Sequence, residues 1–175
     1  MISLSKLFRF PAVFFNSLGQ NVVKAHRRYI RQIKKSHTGR RFAPYAKGKK
    51  GQVSYARKKA DGKAAKGRTQ MSKSTTPDLT LTGDMLNSLR MIVAEPNGFR
   101  YGITDREQAV KLIANQAGIF GKNVRKSSKR IISSKNHAVP PEIREMIMEE
   151  MSKQVVRQIT SELRKSGTGF KVYTI

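Results

Sequence analysis

The side chains able to do covalent chemistry are few in this sequence, and their spacing is unhelpful to it. There is no cysteine, which removes disulfides, thiolate nucleophiles and cysteine metal sites. His26, His37 and His137 share no helical spacing with a carboxylate and flank basic residues or loop-like sequence, so no metal site is expected. Glu142, Glu145, Glu149 and Glu150 recur at helical spacing, where carboxylates serve as the solvated face and dipole partners of a helix rather than as an acid/base pair. Gly48, Gly51, Gly62 and Gly67 lie in a lysine-rich stretch with no strand-to-helix transition after it, so they form no phosphate-binding glycine loop. No enzyme activity and no cofactor are implied.

The chemistry the sequence does offer is contact with polyanions. Its 36 Lys and Arg against 11 Asp and Glu give a formal charge of +25 over 175 residues. From Lys24 to Lys73 there are 18 basic residues and a single acid, Asp61. The densest part contains Lys47, Lys49, Lys50, Arg57, Lys58, Lys59, Lys63, Lys66 and Arg68, with Tyr45 and Tyr55 interleaved. A second acid-free cluster holds Lys122, Arg125, Lys126, Lys129 and Arg130 and ends at Lys135. Such segments bind phosphates with a steep salt dependence and without reading base sequence. Two tyrosines are too few for a stacking platform. The competing use of the arm is a clamp on an acidic surface of a neighbouring subunit.

These segments hang on elements that can be read from periodicity. The length suits one domain, and no stretch approaches the roughly 20 apolar residues that span a bilayer. Residues 1–38 read as an amphipathic helix with Val22, Val23, Ala25, Tyr29, Ile30 and Ile33 on one side and Lys24, Arg27, Arg28, Arg31 and Lys34 on the other. A mitochondrial presequence is the alternative for the acid-free start. The helix should stop near His37-Thr38-Gly39, with glycine at the C-cap. Residues 39–77 read as the basic arm, and residues 78–175 as the body.

In the body, Thr82 is placed to cap a short helix that packs Met85, Leu86 and Leu89. Arg90 to Glu95 and Phe99 to Ile103 flank Pro96-Asn97-Gly98, the pattern of a hairpin. A helix from Arg106 to about Gln116, with Ala109, Val110, Leu112 and Ile113 apolar, should close at Gly118 or Gly121. Pro140-Pro141 open a long helix whose stripe is Ile143, Met146, Ile147, Met151, Val155, Ile159 and Leu163. Phe170 to Ile175 alternates like a strand. The expected class is α+β: an antiparallel sheet packed by the long C-terminal helix, with an N-terminal helix and a long basic arm.

The segment Leu79-Thr80-Leu81-Thr82-Gly83-Asp84-Met85-Leu86-Asn87-Ser88-Leu89 resembles a signature of phage tail-completion, or virion-morphogenesis, proteins. Leu79, Thr82, Gly83, Met85 and Ser88 carry the resemblance there. Gly102 in Tyr101-Gly102-Ile103-Thr104 is similar to the family's hairpin end, and Gln116 and Gly118 to its His-Gln-x-Gly helix end, with Asn115 in place of the histidine. Phe42-Ala43-Pro44-Tyr45 is similar to an upstream aromatic-x-Pro step, and Ala138-Val139-Pro140-Pro141 stands for a longer proline-rich step. The physical roles of these residues are ordinary: Thr82 as a cap, Gly83 as a turn, and Ser88 as a hydrogen-bond donor to backbone where helix passes to strand.

The resemblance implies a structural protein of the virion neck or tail, assembled in the host cytoplasm. In it, about six or twelve copies close a ring. The implied partners are the portal or adaptor, the tail proteins and double-stranded DNA bound non-specifically, with no membrane. The alternative from composition is a basic ribosomal protein, mitochondrial or not, whose extension threads between RNA helices. Copy number, the choice between portal and tail contact, and processing of Met1 to Leu18 are not legible in the sequence.

Overall fold

The computed structural model describes residues 10–42, 84–117, 119–120, 125–126 and 139–165. The basic arm, residues 1–9, Leu79, Thr82, Gly83, His137 and the expected terminal strand lie outside the described residues.

Helix α1 (Ala12–Arg28) begins after Pro11, whose carbonyl accepts from the Phe14 N–H at 2.9 Å. Proline costs nothing there because the first N–H groups of a helix lack intrahelical partners. Phe15, Leu18, Val22, His26 and Tyr29 are buried at steps of three and four residues, forming the stripe that makes this helix a core element. The helix does not run to His37 as the sequence suggests. It ends in a π-helical turn, Tyr29–Ile33, closed by Lys34 N–H donating to the Tyr29 carbonyl at 3.1 Å, with Lys34 left-handed at φ 60°. Gly39, expected as the helix cap, instead takes φ +80° in a tight reversal that bridges Lys35 to Arg41. The reversal brings Phe42 back beneath the end of the helix, where its N–H donates to the Lys34 carbonyl at 3.0 Å.

Helix α2 (Asp84–Asn87) is a single turn that buries Met85 and Leu86. Leu89 belongs not to that helix but to strand β1 (Leu89–Glu95), which pairs antiparallel with β2 (Gly98–Ile103). The two-residue loop is Pro96-Asn97, and the register shifts by a bulge between Met91 and Val93. Helix α3 (Arg106–Ala117) comes next, with the Gln108 N–H bonded to Asp105 Oδ1 at 2.8 Å. Its inner face is Gln108 and Leu112. Val110 and Ile113, though apolar, are 59% and 63% exposed because they fall on the opposite side of the turn. Strands β3 (Ile119–Phe120) and β4 (Arg125–Lys126) make a second, minimal antiparallel pair.

Helix α4 (Pro141–Lys165) runs 25 residues, about 37 Å at the standard rise. Ile143 is buried, and Met146, Ile147, Met151 and Val155 pack against Phe10, Phe15, Leu18, Val22 and Tyr29 of the N-terminal segment, in a cluster shared with Ala94, Phe99 and Tyr101 of the hairpin. Ile159 and Leu163 continue the stripe beyond that cluster. The class is therefore α+β: a two-stranded antiparallel sheet packed against helices that include α1 and the long α4. A second cluster of Ile30, Phe42, Met85 and Leu86, joined by Ile103 and Leu112, ties the end of α1 to α2, β2 and α3.

Candidate nucleic-acid interface

Of the sequence-derived contact residues, Lys47, Lys49, Lys50, Arg57, Lys58, Lys59, Lys63, Lys66, Arg68, Lys122, Lys129 and Arg130 lie outside the described residues. Arg125 and Lys126 form β4, with their backbones opposite Phe120 and Ile119.

The family-motif positions that are described have packing and turn roles. Met85 is 7% exposed in the second cluster. Ser88 Oγ donates to the Met85 carbonyl at 2.8 Å, satisfying an acceptor at the end of α2 as the chain enters β1, the role expected for it. Gly102 stands opposite Arg90 in the hairpin, and a Cβ there would sit 3.4 Å from Ile92 Cδ1. Gln116 is half-buried in the last turn of α3, and Gly118 lies outside the described residues.

Five of the acidic residues are tied into surface pairs: Glu149 and Glu150 with Lys153 at 2.7 and 3.1 Å, Glu107 with Lys111 at 2.5 Å, Glu95 with Arg100 at 2.8 Å and Glu162 with Lys165 at 2.8 Å. Exposed pairs of this kind contribute about 0 to 1 kcal/mol each. Burial, reinforced by the Glu142 carboxylate and a hydrogen bond to it, pushes the Tyr29 phenol up to about 12. Among the described residues no cluster of three metal-ligating side chains occurs, and no helix is long and apolar enough to cross a membrane.

Two features escape the sequence reading. His26 is 1% exposed, on the apolar face of α1, and shares a hydrogen bond of 2.9 Å with Tyr101 of β2. Its i+4 spacing from Val22 was the available signal, masked by the basic residues beside it. The other concerns Arg27 and Arg31, expected on the solvent face. The Arg27 guanidinium donates to the Asn87 carbonyl at 2.9 Å and to the Leu89 carbonyl, while Arg31 donates to Asn87 Oδ1 at 2.6 Å. They therefore bind the end of α2 and the start of β1 to α1, satisfying the Asn87 carbonyl that the one-turn helix leaves open and the Leu89 carbonyl of the strand. Their i, i+4 spacing was legible; the acceptors some 60 residues away were not.

Comparison with family profiles, with curated proteins and with solved structures finds no match to this chain.

Proposed function

We propose that this chain is a non-enzymatic structural protein of a phage neck, assembling as a closed ring of about six or twelve copies between portal and tail and surrounding the packaged DNA. The observation that carries the reading is the segment from Leu79 to Leu89 together with the order of elements after it. A one-turn helix with buried Met85, the Ser88 bond to backbone, a hairpin, a helix over Arg106–Ala117 and a long helix opened by proline succeed one another in the order the resemblance implies. The charge supports the same reading, because a ring through which DNA passes gains from a positive lining.

In this reading α4, α1 and the hairpin make the ring body, and the arm from Lys47 to Arg68 contacts the DNA backbone. Negative-stain imaging of nuclease-treated protein tests it. Closed rings of uniform diameter are expected. Monomeric particles that bind structured RNA in preference to duplex DNA would favour the ribosomal alternative, which the acid-free stretch before Asp61 also suits.

A further inference from the structure

We propose that Arg27, Arg31 and Arg90, with Asn87 between them, form a phosphate-binding site for the backbone of a nucleic acid, on the body of the protein and separate from the basic arm. Helix α1 and the π-helical turn that ends it supply two guanidiniums one turn apart, and the start of strand β1 supplies the third. The first two guanidiniums are anchored on Asn87, one on its carbonyl and one on its side-chain oxygen, which fixes them beside each other. Burial lowers the pKa of Arg27, and the neighbouring charges of Arg31 and Arg90 lower it further. No carboxylate pairs with any of the three among the described residues, whereas Arg100, Lys111, Lys153 and Lys165 each have one.

Three like charges held together without a counter-charge are unfavourable until an anion joins them. The bonds to Asn87 and Leu89 run through one terminal nitrogen of each guanidinium, and the buried Nε atoms also lack an acceptor. Neither guanidinium is therefore saturated, and the donors left for an anion are on the terminal nitrogens. Asn87 is exposed, and with its Oδ1 taken by Arg31 its amide NH2 keeps its donors. Arg90 is exposed and faces Gly102 across the hairpin, so no cross-strand side chain covers its stem. Guanidinium forks match phosphate oxygens in pairs. A phosphodiester backbone is favoured over a protein carboxylate by the sequence, since Arg27 and Arg31 belong to the run from Lys24 to Lys73 with its 18 cations and one acid.

This inference rests on the nucleic-acid part of the proposed function and not on ring closure. The test uses the full, nuclease-treated chain and a random-sequence DNA duplex, with affinity measured by fluorescence anisotropy across a salt series. The double variant R31Q/R90Q is compared with wild type and with R157Q/R164Q, which removes two exposed charges from α4. Each lost phosphate contact should lower the slope of log affinity against log salt by about 0.9, so R31Q/R90Q should lose about 2 and the control nothing. R90Q alone, a change at an exposed strand position, should lose about 0.9 and serves if the double variant does not fold.

A slope for R90Q and R31Q/R90Q equal to that of the control overturns the inference while leaving the proposed function standing. So does loss of polyglutamate binding with DNA binding unchanged, which would assign the site to an acidic protein partner. Absence of DNA binding by the wild type overturns both the inference and the nucleic-acid part of the proposed function.

Discussion

The Nδ1 atom of His26 lies 2.9 Å from the hydroxyl of Tyr101, joining α1 to β2 across 75 residues of chain, with the two rings edge to face at 5.8 Å. It is a polar link inside an otherwise apolar contact, and buried polar groups stabilise only while they are paired. Tyr101→Phe keeps the ring and removes this bond, so it should cost about 1 kcal/mol, or a fall in Tm of about 2–4 °C in a chain of this size. A thermal melt of the variant checks this, and an unchanged Tm would show that the link is energetically idle.

At Gly19 helix α1 lies directly against the hairpin. A Cβ there would meet Met91 Sδ at 2.7 Å and Phe99 Cδ2 at 2.9 Å. Alanine is better than glycine in a helix by about 1 kcal/mol, so propensity alone favours Gly19→Ala. The clash should outweigh it and leave a net destabilisation of about 1–3 kcal/mol. Gln20→Ala, on the exposed side, should be neutral or slightly stabilising. Chemical denaturation of both variants decides, and pairing Gly19→Ala with Met91→Ala should recover part of the loss.

Alkaline pH should loosen the core. The phenols of Tyr29 and Tyr101 are both raised, Tyr29 to about 12 by burial and then Glu142, and Tyr101 by burial alone. Between the unfolded value of about 10 and the folded values, the folded chain holds protons that the unfolded chain releases. Stability from these groups is therefore complete below about pH 10 and declines as the pH rises above it. Denaturant midpoints taken from about pH 9 to 11.5 should fall, and Tyr29→Phe should make the fall shallower. Glu142→Gln should do so more weakly, because burial is the larger cause for Tyr29.

Replacing Lys58, Lys59 and Lys63 by alanine should reduce the salt slope of DNA binding by roughly 3, at about 0.9 per phosphate, and leave the native mass unchanged. Light scattering and anisotropy on the same preparations separate the two effects. A change that abolished assembly instead would assign this part of the arm to a neighbouring subunit.

The hairpin and the long helix were legible because their signals are local: Pro96-Asn97-Gly98 between alternating runs, and an apolar stripe from Ile143 to Leu163 behind Pro141. The end of α1 was not, because Lys34 rather than a glycine takes the left-handed position and the last turn widens to a π-helix. Strands β3 and β4 pair Arg125 and Lys126 with Phe120 and Ile119 through backbone bonds, which a charged run gives no pattern to reveal. The inward face of α3 is hidden because composition marks Val110 and Ile113 as apolar, while packing selects Gln108 and Leu112. The arginine anchors were hidden for a further reason: spacing tells which residues share a helix face, and only the fold tells that Asn87 and Leu89 arrive there.

The most direct test of the ring proposal is the native mass of the nuclease-treated protein at moderate and high salt. The account predicts one discrete closed oligomer, an integral multiple of 19.7 kDa, that persists when salt screens the basic arm. A monomer at both salt concentrations that gains mass only when structured RNA is added would contradict it.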